Sequence, residues 1–514
     1  MSSNHFDVLI VGAGISGIAS ACHLQRQCPG KSFALLEGRD SIGGTWDLFR
    51  YPGIRSDSDM HTLGFSFKPW NDPKSIADGP AIMKYLHETV AENGLEQHIR
   101  YNTRISSAAW SSERAEWSVE TDGGESYTGN MLLMCGGYYS YDEGFTPEFE
   151  GVSDFQGAVV HPQKWPEDLD YAGKRVVVIG SGATAMTLVP AMAMSGAERV
   201  TMVQRSPTYV ISMPDHDFIA NTLRKILPDS WAYAITRWKN INLQRYAYGR
   251  TRTKPEKVKE NLLKMVRKNL PDEYVDEHFV PRYNPWDERL CLIPNGDLYD
   301  AINSGRADVV TDHIERFTER GLKMQSGQEI EADIIVTATG LNLVVLSDVR
   351  LNVDGLDIDM PETIAYKGMM FSDIPNLVQT FGYVNASWTL RADLTAEYSC
   401  RLVNRMDELG MRQVTPRLSP EDVDMDVTTW ISEEFQPGYM RRKMHLFPKQ
   451  GDREPWLNTQ NYHLDKQMIR NAPLEDGRLT FSNPPGAAAA PDAGAAERAE
   501  VPPARREPVA EQAA

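Results

Sequence analysis

No two cysteines stand at CxxC spacing in this sequence: the five present, Cys22, Cys28, Cys135, Cys291 and Cys400, are scattered along the chain. That pattern speaks against a zinc site or a disulfide framework and fits a reducing cytoplasm. Uninterrupted apolar runs of about 18 residues are also missing, so no spanning helix is expected, and the strand-like segment Phe6–Val11 begins too early to leave room for a signal peptide. Positive charge is short, with 53 Lys and Arg against 71 Asp and Glu and a net charge of −18, a field that repels nucleic-acid backbones. Hydrophobic periodicity disappears from Pro484 onward, where Ala, Pro, Glu and Arg take over, and residues 484–514 read as a disordered tail that cannot offset the entropy of ordering.

At 514 residues, 41% of them apolar, the chain has material for two or three packed units. The first opens with the apolar strand Phe6–Val11, the turn Gly12-Ala-Gly14-Ile-Ser-Gly17 and a helical pattern from Ile18. Gly12 permits the tight turn, Gly14 lets backbone approach a pyrophosphate at the helix N-terminus, and Gly17 lets helix and strand pack closely. The next strand, Ser32–Leu36, ends in Glu37, where a carboxylate accepts hydrogen bonds from a ribose diol. The pattern returns as strand Arg175–Ile179, turn Gly180-Ser-Gly182-Ala-Thr-Ala185, and strand Arg199–Val203 followed by Gln204-Arg205-Ser206.

Counted without a gap from the first glycine of each motif, Arg205 falls at the offset of Glu37. An arginine there suits a 2′-phosphate that an acid would repel, so the first site is expected to take FAD and the second NADPH, with Ser206 assisting. The alternative for Arg205 is a solvated surface arginine. Each motif also has a closing segment, Trp117–Thr121 with the apolar run Met131–Cys135, and Gly321–Gln325 with Asp333–Gly340. Both read as a meander delivering a buried parallel strand.

The expected fold is therefore α/β, with two Rossmann-like dinucleotide-binding domains. The FAD-binding parts span 1–145 and 341–483, and the NADPH-binding parts span 146–210 and 286–340. Between them, 211–285 reads as a helical insertion from spacing such as Val258, Leu262, Leu263, Val266 and Leu270. Within 221–270 there are 13 Lys and Arg against 3 Asp and Glu, with interleaved aromatics. Such a segment suits either a solvated face beside the cofactor entrance or weak association with a membrane surface.

Two cofactors leave the chemistry open, because disulfide reductases, amine hydroxylators and ketone monooxygenases all pass a hydride from nicotinamide to flavin. The absence of a cysteine pair discounts the first. Phe155-Gln-Gly157-Ala-Val-Val-His161-Pro-Gln-Lys-Trp165-Pro166, just before the second glycine motif, resembles the Baeyer–Villiger monooxygenase fingerprint FxGxxxHxxxW followed by Pro or Asp. Gly43-Gly44-Thr45-Trp46-Asp47 through Tyr51-Pro52-Gly53 to Asp57 resembles a second signature of that family, GGxWxxxxYPGxxxD. The resemblance to that family extends over about 6–480, and the run Gly44–Met60 is similar to that of its ethionamide-activating members from actinobacteria.

That resemblance implies an NADPH- and O2-dependent flavoprotein acting through a C4a-peroxyflavin on ketones, with thioethers or thioamides as further substrates. It also implies that Arg289 is the active-site cation and Asp57 the carboxylate beside it. Trp46 and Trp165 are expected as packing or cofactor-wall residues, and His161 as a hydrogen-bonded hinge residue rather than a base. The segment Pro375–Trp388 looks like the family's return to the flavin ring. One departure is Glu288, where many members carry a lysine that helps hold the NADPH phosphate. The competing reading is an N- or S-oxygenating flavin monooxygenase. No metal is expected, and oligomeric state is open.

Overall fold

The computed structural model describes residues 4–485 except 289 and 432–436, and in it the two glycine motifs open two separate sheets. The expected tail, apart from its first two residues, lies outside the described residues. In the first sheet His5–Val11 runs parallel between Phe33–Leu36 and Ser126–Met134, with Val11 opposite both Leu36 and Met134. Ser126–Met134 serves two partners: its first half pairs antiparallel with Glu116–Thr121, and its last residues pair parallel with Leu377–Gln379. The returning chain 350–379 thus completes the sheet that residues 5–134 begin.

The second sheet is all parallel, in the order Ala307–Thr311, Arg199–Gln204, Arg175–Ile179, Ile334–Thr337, Ala158–Val160. Val176, Val177, Val178 and Ile179 are all buried, as a strand covered on both faces requires. The antiparallel meander Ile314–Thr318, Gly321–Met324, Glu329–Glu331 feeds the buried strand Ile334–Thr337, matching the arrangement in the first unit. The chain crosses between the units twice, through Tyr139–Gly144 and Leu341–Leu343, and these crossings pair antiparallel with each other.

Helix α1 (Ile15–Gln27) follows the first glycine turn and α2 (Ala183–Met194) the second. The insertion is helical: α3 (Phe218–Ile226), α4 (Asp229–Thr253), α5 (Pro255–Arg267) and α6 (Asp272–His278). On α5 Leu262 and Val266 are buried, Val258 and Leu263 are half-buried, and Leu270 is buried just beyond it. Helix α4 is anchored to the first unit by Arg237, which donates to the carbonyls of His61, Thr62 and Gly64 and pairs with Asp393 at 3.2 Å. Asp393 lies on α7 (Trp388–Leu409), is buried, and also meets His23 of α1 at 3.2 Å.

Candidate active site

The two glycine turns have nearly the same backbone. Gly14 (φ −75°, ψ −173°) caps α1 and Gly182 (φ −80°, ψ −177°) caps α2, and neither cap contributes a side-chain acceptor to the first-turn N–H groups. Gly12 sits at φ +95° and Gly180 at φ +130°, where a Cβ would be strained. Gly12 N–H donates to the Leu36 carbonyl and Gly180 N–H to the Val203 carbonyl, both at 2.8 Å.

That pair of hydrogen bonds corrects the ungapped count. Leu36 corresponds to Val203, so Glu37 corresponds to Gln204, and Arg205 lies one residue further on because the second unit is one residue shorter between turn and strand end. Gln204 is buried and turns inward, donating to the His278 carbonyl (2.8 Å) and Thr311 Oγ1 (2.9 Å). Arg205 and Ser206 are exposed. At the position of Glu37 the second unit thus carries a neutral residue, with a cation one residue beyond it.

A cavity of about 1030 Å³ lies between the units and is lined from both. From the first unit it receives Gly12, Gly14, Glu37, Gly44, Thr45, Trp46 and Asp57, and from the second Gly182 and Thr184. Glu37 is buried, its Oε2 accepting from Ala13 N–H (2.7 Å) and its Oε1 from Arg39 N–H (2.9 Å). Burial raises its pKa and is opposed by those N–H groups and Arg39. The segment Tyr383–Ala386 and Trp388 also line the cavity, and Trp388 Nε1 donates to Ser16 Oγ at 2.7 Å in the first turn of α1.

These residues fit a flavin dinucleotide. Two uncapped helix ends face one cavity, a fixed carboxylate stands at the end of the second strand, and Gly14 lies so near Gly44 that a Cβ at Gly44 would come within 3.2 Å of the Gly14 Cα.

The segment from Gly43 to Asp57 bridges the units. Asp47 does not line the cavity; it pairs with Arg39 (2.6 Å) and Arg50 (3.3 Å). Tyr51 does not line it either: it is buried in the core of the second unit beside Thr184, and its hydroxyl is pushed up to about 12 by burial. A Cβ on Gly53 would meet the Ala191 Cβ of α2 at 2.5 Å, and Arg55 pairs with Asp297 at 2.5 Å. The signature therefore runs from the first glycine turn to the back of the second.

None of Phe155, Gly157, His161, Trp165 and Pro166 lines the cavity. Phe155 packs in the core formed with the meander, and Gly157 has no room for a Cβ, which would lie 2.3 Å from the Asp333 carbonyl oxygen. Trp165 packs against the core of the second unit. His161 sits at the crossing: its Nδ1 accepts from Gln163 N–H (3.1 Å) and its Nε2 is 3.1 Å from the Gly340 carbonyl oxygen, which assigns the proton to Nε2. Burial lowers its pKa, against backbone hydrogen bonds to Gly340 and Phe145 that raise it.

Arg289 lies outside the described residues, while Trp286 and Leu290 on either side of it line the cavity. Burial raises the pKa of Glu288, and the nearby guanidinium groups of Arg441 and Arg205 oppose that shift. Ala185 is buried in the core of the second unit and Pro166 is half-buried, and neither lines the cavity.

Several contributors carry no sequence signature of their own. Asn240, Leu243, Gln244, Ala247 and Tyr248 of α4 line the cavity, and Asp59 accepts from Asn240 (2.8 Å) and Gln244 (2.9 Å). The i, i+4 spacing of Asn240, Gln244 and Tyr248 is the one signal that could have found them. Cys400, read from sequence as isolated, lies against Cys28, whose Sγ is 3.7 Å from the Cys400 carbonyl oxygen. Only Cys135 among the cysteines lines the cavity, and burial raises its pKa. No group of three or more metal-ligating side chains occurs among the described residues.

The profile of the flavin-binding monooxygenase-like family matches residues 6–349. FAD-containing monooxygenase EthA of Mycolicibacterium smegmatis is 52% identical over 484 residues, covering 93% of this chain and 98% of its own. The putative FAD-containing monooxygenase MymA of Mycobacterium tuberculosis is 48% identical over 502 residues, covering 96% of this chain and 100% of its own. Among solved structures, an oxidized steroid monooxygenase bound to NADP superposes with a TM-score of 0.76 at 23% identity, over 93% of this chain and 100% of that one, a likeness of fold.

Proposed function

Because the chain belongs to the flavin-binding monooxygenase-like family, we propose that it is an FAD-dependent, NADPH-consuming Baeyer–Villiger monooxygenase. It converts ketones to esters or lactones and also oxygenates sulfur in thioethers or thioamides. The observation that carries this reading is the single cavity lined by both glycine turns together with Asp57 and the neighbours of position 289. Bound there, FAD supplies the transfer of electrons from NADPH to O2.

The protein's own groups do the rest. The N–H groups at the start of α1 hold the pyrophosphate of FAD and Glu37 its ribose diol, while the start of α2 holds the pyrophosphate of NADPH. Arg205, with Ser206, meets the 2′-phosphate. Arg289 stays protonated at any working pH and stabilises negative charge that develops on the carbonyl oxygen of the substrate. Asp57 holds that guanidinium in place. Trp46, Tyr383 and Trp388 exclude water from the reacting centre. His161, clamped to the crossing, couples the positions of the two units.

The test is to give the FAD-loaded protein NADPH, O2 and a panel of linear, cyclic and aryl ketones with one thioether, and to identify products by mass spectrometry. Esters or lactones are expected. Oxygenated thioether with no ester from any ketone, while NADPH is consumed, would replace this reading with an N- or S-oxygenating monooxygenase.

A further inference from the structure

Helix α4 turns large apolar side chains toward solvent. Its inward face carries Ala232 and Tyr233 together with the polar Thr236, Arg237, Asn240 and Gln244. Its outward face carries Trp231, Ile235, Trp238 and Tyr246, whose spacing of four, three and eight residues puts them in one stripe. Trp231, Trp238 and Tyr246 are each about two-thirds exposed. On the neighbouring α3, Phe218 is 81% and Ile226 70% exposed. Aromatic side chains normally bury most of their surface, so several of them side by side in water mark a contact surface.

The charge around the stripe narrows the partner. Of the basic residues counted from sequence, Arg237, Lys239, Arg252 and Arg267 are engaged with carboxylates of the protein itself. Lys225 beside Ile226, Arg245 beside Tyr246, and Lys254 and Lys257 beyond them are exposed and have no carboxylate partner among the described residues. This local excess sits on a chain of net charge −18. Tryptophan and tyrosine flanked by lysine and arginine along a helix lying flat is the composition of the headgroup boundary of a bilayer. A second copy of the chain would bring one basic face against another.

The patch is continuous with the active site. Phe218, Ile219 and Leu243 are exposed and also line the cavity, so they form its mouth. No helix among the described residues is long and apolar enough to cross a membrane. We propose that the outer face of α3 and α4 docks on an anionic lipid surface and that the cavity mouth opens onto it, so that apolar substrates enter from the bilayer. The docking stands on the surface alone, whereas the delivery of substrate rests on the function proposed above.

The experiment uses the full-length, FAD-loaded protein and flotation with phosphatidylcholine vesicles, with or without roughly a third phosphatidylglycerol. Two variants accompany it: W231S/W238S, at exposed positions outside the cavity lining, and K225E/R245E. Wild type is expected to float with the anionic vesicles at low salt at least about tenfold more than with neutral ones, and the difference is expected to collapse in about 0.5 M salt and in both variants. No flotation with anionic vesicles, flotation unchanged in both variants, or self-association in solution that W231S/W238S abolishes would each overturn docking on lipid.

In parallel, oxidation of a short water-soluble ketone should be unchanged in W231S/W238S, while oxidation of a long-chain ketone supplied in anionic vesicles slows at least about fivefold. An equal rate on the vesicle-borne ketone would overturn the delivery route. If neither ketone is oxidised by wild type, the proposed function fails, and flotation still decides the docking.

Discussion

Gln204 stands in the second sheet where Glu37 stands in the first, and the two side chains do opposite things. Glu37 borders the cavity, whereas Gln204 turns away to hold His278 and Thr311. On the proposed function, discrimination between nicotinamide cofactors falls to Arg205, with Glu288 as a nearby competitor for its charge. Arg205→Ala should raise KM for NADPH about tenfold to a hundredfold, the range of a lost charge-assisted hydrogen bond, and leave KM for NADH nearly unchanged. Glu288→Lys should lower KM for NADPH. Steady-state kinetics with both nucleotides checks this, and an equal loss for NADH and NADPH in Arg205→Ala would remove the 2′-phosphate role.

The two glycine turns should differ in tolerance although their backbones agree. A Cβ at Gly17 would lie 1.9 Å from the Gly12 carbonyl oxygen, and backbone cannot yield that much. The second motif already carries Ala185 at the matching position, fully buried. Gly17→Ala should yield protein without bound flavin, read from its visible absorbance. Ala185→Gly should keep both cofactor sites and lose only about 1 kcal/mol by denaturant unfolding. Normal flavin content in Gly17→Ala would contradict the packing.

Burial lowers the pKa of His161, His61 and His278 in the folded protein. The unfolded chain takes up protons near pH ~6.5 while the folded chain resists them, so more protons are bound in the unfolded state below that pH. Stability from these groups is present above pH ~6.5 and is lost as pH falls toward their folded values. Thermal unfolding between about pH 7.5 and pH 5.5 should show Tm falling, and His161→Gln, which keeps a donor for the Gly340 carbonyl, should flatten the fall. A Tm rising with acid over that range would contradict the assignment.

The sheets were readable because glycine turns and apolar strands are local in sequence: Phe6–Val11 with Gly12–Gly17, and Arg175–Ile179 with Gly180–Ala185, needed only a short window. The link between Gly43–Asp57 and the second unit was not readable, because Gly53 meets Ala191 and Arg55 meets Asp297 only after both units have folded. The one-residue slip at Gln204 arose from a difference in loop length that counting cannot see. Buried charges were equally silent. Arg391, on α7, pairs with Asp465 behind cavity-lining Tyr383, whose hydroxyl donates to Asp465 at 2.7 Å, and neither charge looks different from a surface residue in sequence. The face of α4 was half legible: its charge and aromatics showed, but not that Arg237 points inward and Trp231 and Trp238 outward.

Arg289 is the residue on which the ketone reading turns, and Asp57, which lines the cavity, is its assigned partner. If the guanidinium stabilises charge on the carbonyl oxygen, its loss should cost product formation but not the earlier hydride transfer from NADPH. Arg289→Ala should then reduce flavin with NADPH at close to the wild-type rate under anaerobic stopped flow, while ester formation falls about a hundredfold to a thousandfold, the usual cost of removing one charge-stabilising donor. NADPH consumed in air should appear as hydrogen peroxide instead of ester. Asp57→Ala should show a smaller loss in the same direction, because it removes the positioning of the cation and leaves the charge. Ester formation by Arg289→Ala at the wild-type rate would move the charge-stabilising role to another group.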